Sequence, residues 1–491
     1  MKYTDYDALG LANLVHTRQT SPEELVKMAF DEIEKKNKGV NAVVRTRKEK
    51  ALQEAKNVNL QKKFAGVPIV LKDLGQAIGG ELNTCGAKLL QNYITKEDSL
   101  YTQKIRQAGF IIIGQTNTPE FGFKNITDPT LFGETSNPWC LSHSPGGSSG
   151  GASASVASGM VPIAGASDGG GSIRIPASFT SLVGLKVTRG RTPVGKSERK
   201  WQGAAVDFAL TRSVRDACAM LDALQILEPY AAFNVPLFND GYLNMLQNNY
   251  KRKLSIAYTT KSPVGTFVSE DAKLAVEKTI KWLEQEGHLV EEVDNDVDGF
   301  NLINSYFTMN GVETVSMFSH IEKNMNYEIK RDDVEIMTWA IYTMGKSVNA
   351  SEYAVSFIAW DDAAYKMSQL HKKYDFYLTP STSVTAPLHK ELSPTQIMRD
   401  KICNMHELSY KQQKEFIYDM FEQSLAVSPF TQLANLTGQP AISLPVHLSK
   451  EGMPIGVQFI GPKGKEDELL KIASQIEISD IWVGMKGNEF I

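Results

Sequence analysis

Three segments of the chain carry side chains able to act as nucleophile, proton relay or base. The first is Pro68-Ile69-Val70-Leu71-Lys72-Asp73, where a lysine ends an apolar run. Burial disfavours a charged ammonium and lowers its pKa, and a neutral amine is a competent general base. A lysine there can equally snorkel to the surface or pair with Asp73. The second is Gly146-Gly147-Ser148-Ser149-Gly150-Gly151, which matches GxSxG twice, with Ser148 or Ser149 central. That pattern makes a nucleophile elbow only directly after a strand, and residues 137–145 before it read as loop. The third is Ser167-Asp168-Gly169-Gly170-Gly171-Ser172. Consecutive glycines let backbone N–H groups converge on one point, as an oxyanion hole requires. The same glycines suit a phosphate, but no GK[ST] follows and no GxGxxG is present, so nucleotide binding has little support. A turn without chemistry is the plain alternative.

These segments need elements to position them. Residues 1–60 read as helices. Ser21 as N-cap, Pro22 at the first helical position and Glu24 two further on make a capping box, and Leu25, Met28, Ala29 and Ile33 follow on one apolar face. Residues 66–71 read as a buried strand, 98–108 as a helix closed by Gly109, and 110–113 as a strand. This β–α–β rhythm predicts an α/β layer fold. Residues 143–171 have the glycine and serine content of a flexible linker. The interleaved Val156, Met160, Val161, Ile163 and Ala164 instead predict a helix followed by a strand, with small residues admitting close backbone packing. Further helices are expected from 212 to 224, over 269–287 and over 465–477, and strands at 254–258, 376–379, 441–445 and 456–460. Residues 230–250 and 300–420 read as less regular. Length alone would allow about three domains. No linker or repeat divides the chain, so one large domain is expected. An N-terminal helical segment, 1–60, would pack on a core built by 61–491, and the less regular part of that core, at about 230–420, would face substrate.

Composition narrows the function classes. At 42% apolar and 22% charged residues, the chain reads as a soluble globular protein. A net charge of −4 supplies no electrostatic reason to bind nucleic acid. Four cysteines without ligand spacing read as free thiols of a reducing compartment. The first residues hold no apolar signal core, and no run approaches the ~18 apolar residues of a membrane helix. A cytoplasmic location without membrane contact is therefore expected. The eight histidines include no HExxH pair or ligand cluster, so neither a metal nor a cofactor is expected. Only His143, beside the serine loop, is placed to reach a substrate.

Taken together, the lysine, the glycine-flanked serine pair and, 24 residues beyond Ser148, the glycine-preceded Ser172 resemble the amidase signature family. The resemblance extends to Gly114-Gln115-Thr116-Asn117-Thr118-Pro119-Glu120, Gly184-Leu185-Lys186, Gly438-Gln439-Pro440-Ala441-Ile442-Ser443-Leu444-Pro445 and Gly452-Met453-Pro454-Ile455-Gly456-Val457-Gln458. It is weakest over 230–420. It implies a large mixed β-sheet covered by helices on both faces in a single domain. It implies Ser172 as nucleophile, Ser148 as a bridging serine after a cis peptide, Lys72 as ultimate base, and the N–H groups of Gly169, Gly170, Gly171 and Ser172 as the oxyanion hole. One departure stands out: Ala166-Ser167-Asp168 replaces the family's usual Gly-Thr-Asp, with serine keeping the hydroxyl. The flanking phrases Phe64-Ala65-Gly66-Val67-Pro68, Asn137-Pro138-Trp139, Thr188-Arg189-Gly190-Arg191 and Asp332-Asp333-Val334-Glu335 resemble the 6-aminohexanoate cyclic-dimer hydrolase branch. The implied activity is hydrolysis of a linear or cyclic small-molecule amide with an alkyl or aryl arm, without cofactor. A homodimer is compatible with this. Thr84-Cys85-Gly86-Ala87-Lys88 resembles another branch, the glutaminase subunit of tRNA-dependent amidotransferases, which would need partner subunits. For the pocket, Ser149, Asn310 and Trp339 are the expected substrate contacts, within a wall that includes Tyr306, Phe307, Met309 and Met337. Aromatic and methionine residues in such a stretch are also ordinary core.

Overall fold

The computed structural model describes residues 2–196, 198–247 and 252–491. Eleven strands form one sheet: β1 (Val43–Thr46), β2 (Pro68–Lys72), β3 (Ile111–Thr116), β4 (Ile163–Asp168), β5 (Val183–Lys186), β6 (Val206–Thr211), β7 (Ser255–Tyr258), β8 (Leu289–Glu292), β9 (Phe376–Pro380), β10 (Ala441–Leu448) and β11 (Pro454–Ile460). Their order is β1-β3-β2-β4-β6-β5-β10-β11-β9-β7-β8. The pairs β2–β3, β2–β4, β7–β8 and β7–β9 are parallel and the others antiparallel. Successive side chains of a strand point to opposite faces. Every residue of β2, β3, β6 and β11 is buried, so helices must cover both faces, as in α/β layer folds.

Local signals act as expected in several places. Ser21 caps the helix Pro22–Val40: its hydroxyl accepts the Glu24 N–H at 3.2 Å, and the Glu24 carboxylate accepts the Ser21 N–H at 2.8 Å. The glycine- and alanine-rich stretch forms the helix Gly150–Ala157 followed by β4. Two expectations are corrected. Residues 1–60 are not helical throughout, because β1 lies among them and pairs with β3. At four residues β1 is too short to display an alternation. Residues 300–420 are not irregular: they hold helices Gly299–Met325, Ile336–Ser347, Ala350–Leu370, Gln396–Cys403 and Tyr410–Val427. Helix Gly299–Met325 packs against three of these at once, so apolar residues surround it and the single-stripe pattern of a surface helix is lost. Its approach to Ile336–Ser347 requires glycine, since a Cβ on Gly345 would lie 2.0 Å from the Gly311 carbonyl oxygen. In the stretch 230–250, Tyr242–Met245 is a short helix, and positions 248–250 lie outside the described residues.

At the centre of the sheet, Lys186 ends β5 fully buried. Its Nζ donates to the Val187 carbonyl at 2.9 Å and the Gln439 carbonyl at 2.6 Å, tying β5 to the turn before β10. Burial, reinforced by the Arg174 cation, lowers its pKa well below the usual lysine value. Among the described residues, no helix is long and apolar enough to cross a membrane.

Candidate active site

Lys72 is the last residue of β2 and Asp168 the last of β4. Because these neighbours run parallel, both residues arrive at the same edge of the sheet, the carboxyl end where open α/β sheets place ligands. Gln76 clamps the two strands, accepting the Lys72 N–H at 3.0 Å and donating to the Ala166 carbonyl at 2.9 Å. Lys72 has no solvent exposure. Its Nζ lies 2.7 Å from Ser148 Oγ, 3.0 Å from Ser149 Oγ and 2.9 Å from Ser167 Oγ. Burial lowers its pKa to about 7, against the opposing pull of the Asp207 and Asp168 carboxylates. Lys72 is thus neutral in a large share of molecules near pH 7. Ser148 follows a cis peptide from Gly147 and precedes the helix Gly150–Ala157.

The glycine loop after β4 is shaped by Asp168. Its carboxylate accepts the Gly171 N–H at 2.7 Å, the Ile173 N–H at 3.2 Å, Arg174 Nε and Nη2 at 2.9 Å each, and Asn435 Nδ2 at 2.9 Å. Burial alone would raise this carboxyl, but Arg174 and Asn435 hold it down at about 2. The loop is tightly enclosed: Gly171 has φ +128°, and a Cβ there would lie 2.2 Å from Thr431 Oγ1. The Gly171 N–H, expected in an oxyanion hole, is taken up by Asp168, whereas the N–H groups of Gly169, Gly170 and Ser172 reach no acceptor among the described residues.

Because Asp168 and Arg174 are both wholly buried, Asp168→Ala leaves a buried guanidinium uncompensated. The expected result is a loss of about 3–5 kcal/mol in unfolding free energy, measured by urea denaturation. An unchanged midpoint would show that the loop does not depend on this pair.

Ser172 stands between two cavities. One, of about 320 Å³, is also lined by Ser148 and Ser167, and its apolar wall includes Leu90, Phe121, Phe123, Trp201, Met317 and Ile321. The Ser148 and Ser172 side chains share this wall without a hydrogen bond between them, and such contacts often tighten only around bound substrate. The second cavity, of about 60 Å³, is lined by Ser172, Gly170, Asn125, Asn310 and Gln432 among others. Gly122, Phe123 and Tyr306 border both.

A family model described as Amidase matches residues 24–470. The chain belongs to the amidase signature family. It is 40% identical over 97% of its length to a lipoamidase of Enterococcus faecalis, of which it spans only 63%. It is 33% identical over 98% of its length to the 6-aminohexanoate-cyclic-dimer hydrolase of Paenarthrobacter ureafaciens, of which it spans 96%. The solved structure of 6-aminohexanoate cyclic dimer hydrolase superimposes with a TM-score of 0.90 at 32% identity, covering 99% of both chains.

Within this amidase frame, the expected site residues divide. Ser148, Gly169 and Ser172 line the larger cavity, Gly170 and Ser172 the smaller, and Lys72 touches Ser148. Ser167, the family departure, supplies the third hydroxyl on Lys72. Ser149 is fully buried and accepts Lys72 Nζ while donating to the Ser167 carbonyl at 3.1 Å, so it positions the lysine rather than lining a cavity. Of the expected pocket wall, Tyr306, Phe307 and Asn310 border a cavity. Met309, Met337 and Trp339 belong to the packing between helices, and the Trp339 ring packs on Tyr342 at 5.3 Å. His143 lines neither cavity; its Nδ1 pairs with Ser142 Oγ at 3.0 Å. Sequence reasoning missed Trp201, whose ring stacks on Phe123 at 5.7 Å and closes over Gly169. It also missed Lys200, ion-paired with Asp207 in the same wall. Residues 200–202 all have positive φ, a conformation that no residue type in Lys200-Trp201-Gln202 announces.

Proposed function

We propose that the protein hydrolyses a carboxylic amide with an apolar arm through an acyl-enzyme on Ser172. The observation that carries this reading is the buried Lys72, its pKa brought to about 7, with Nζ 2.7 Å from Ser148 Oγ in the cavity that Ser172 lines. Neutral Lys72 takes the Ser148 proton as Ser148 takes that of Ser172. Ser172 Oγ attacks the amide carbon, and the C=O π electrons move to oxygen. The N–H groups of Gly169, Gly170 and Ser172 receive the oxyanion, each such donor being worth roughly 3–4 kcal/mol in comparable sites. The relay returns the proton to the leaving nitrogen as the C–N bond breaks. Water then repeats the cycle on the ester, releasing acid and free Ser172.

The acyl side is apolar, and the names of both relatives, lipoamidase and 6-aminohexanoate-cyclic-dimer hydrolase, denote amide cleavage. The glutaminase alternative is less well supported. Glutamine would bring a carboxylate into this cavity, whose one lining cation among the described residues, Lys200, is already paired with Asp207 and Glu198.

The test is to quench the enzyme during turnover of lipoamide, hexanamide, an anilide, glutamine and the cyclic dimer, then map adducts by peptide mass spectrometry. An alkyl acyl group on the Ser172 peptide is expected. Turnover of glutamine alone, or an adduct on Ser148, would refute this reading.

A further inference from the structure

The smaller cavity carries a feature the relay does not use. Three carboxamide oxygens on its wall, Asn125 Oδ1, Asn310 Oδ1 and Gln432 Oε1, are buried and have no hydrogen-bond partner among the described residues. Asn310 is 6% exposed and Gln432 8%. Asn310 stands apart, because its amide is hydrogen-bonded to the Tyr306 side chain on the same wall; the other two oxygens are fixed in place by their own amide nitrogens. Asn125 Nδ2 donates to the Ser424 carbonyl and Ser428 Oγ at 2.9 Å each, and Gln432 Nε2 donates to the Ser428 carbonyl at 3.0 Å. Flipping either amide would set its oxygen against a carbonyl, so these two acceptors are held facing away from the backbone. Buried acceptors are rarely left unpaired, and two fixed ones on one small wall beside Ser172 call for a donor-bearing group. Of the two sides of a simple alkyl amide, only the nitrogen side carries N–H donors; an alkyl acyl arm has none to offer and suits the larger apolar cavity.

Gln432 has a second role by position. It also lines a separate cavity of about 450 Å³ at the ends of β7, β8 and β9. One side chain therefore borders both the nitrogen-side cavity and a much larger space behind it.

We infer that Gln432 is a specificity-determining residue that reads the leaving-group N–H and closes this pocket against long N-substituents. This rests on the amidase reading above. Small primary amides fit the pocket as it stands, while an N-alkyl arm of several carbons would need the space behind Gln432.

The experiment compares hexanamide, N-butylhexanamide and ethyl hexanoate, which share one acyl arm and so the same acyl-enzyme. The ester lacks a leaving-group N–H. For Gln432→Met, kcat/KM on hexanamide is expected to fall about tenfold, since a buried N–H loses its acceptor. The rate on the ester should stay within about threefold, which also reports that the variant is folded. Gln432→Ala should raise the ratio of N-butylhexanamide to hexanamide turnover about tenfold. Equal losses on amide and ester, or an unchanged amide rate in Gln432→Met, would overturn the inference. So would an unchanged ratio in Gln432→Ala. Wild-type enzyme inert to all three compounds would instead bring down the underlying amidase reading, and this inference with it.

Discussion

Ser172→Ala is expected to lower kcat on any amide substrate by roughly four to six orders of magnitude, as loss of the nucleophile does in other serine hydrolases. The protein should fold as before. The Ser172 side chain makes no hydrogen bond among the described residues and faces the two cavities. The loop's shape comes from Asp168, Arg174 and Asn435, which the substitution leaves in place. Thermal melting and kinetics together make the test: an unchanged Tm with activity at the background rate. Full activity in the folded variant would move the nucleophile to Ser148, which already touches the lysine and has its own glycine frame.

Lys72→Met is expected to separate activity from stability. With its folded pKa at about 7, the base is available above that value, so wild-type kcat should climb with pH toward a plateau above neutrality. The variant should lose the climb and about 10²–10⁴-fold in rate, the usual contribution of a positioned base. For stability the sign is opposite to that of a salt-bridged lysine. Between pH 7 and the ordinary lysine value of 10.5, the unfolded chain holds a proton that the folded chain releases. Wild-type stability from this group therefore rises with pH across that window. Below pH 7 the whole cost of burying the amine remains, on the order of 5 kcal/mol. Methionine removes this cost but leaves Ser148, Ser149 and Ser167 without their shared donor, at about 1 kcal/mol each. At pH 7 the variant should be at least as stable as wild type by urea denaturation, while nearly inactive. A clearly destabilised Lys72→Met would mean that the lysine is buried as a charged, fully satisfied group.

The site is more legible in the sequence than its surroundings, for physical reasons. Lys72, Ser148 and the Gly169–Ser172 loop are local: each depends on backbone that its own neighbours dictate, so residue types at fixed spacing announce it. Ser149 departs from expectation because adjacency to Ser148 does not say which way a side chain points, and here it turns inward to Lys72. Asn310 reaches the site and Trp339 does not, although both lie on helices of one bundle. Tyr306, Asn310, Met317 and Ile321 recur at helical spacing on one face of Gly299–Met325, whereas Trp339 belongs to another helix that packs behind it. Which face of a fully surrounded helix meets a cavity is decided by its neighbours, not by its own pattern. The sheet is legible in part. The strands β2, β3, β7 and β9 carry continuous apolar runs, while the apolar runs of β10 and β11 are broken by Ser443 and His447 and by Gln458. The short β1 and β8 lie at the two edges, where few residues are buried and no run develops, and β8 has the burial pattern of a solvated strand.

The lysine at the centre of the sheet has a use as a reporter. Lys186 spends both its available donors on backbone carbonyls and is sealed from water, so in the native state no amine-acylating reagent can reach it. It becomes a nucleophile only when β5 and β10 part. The rate at which its peptide acquires label, followed over time, would therefore clock the opening of the innermost strands, independently of any motion at the cavities.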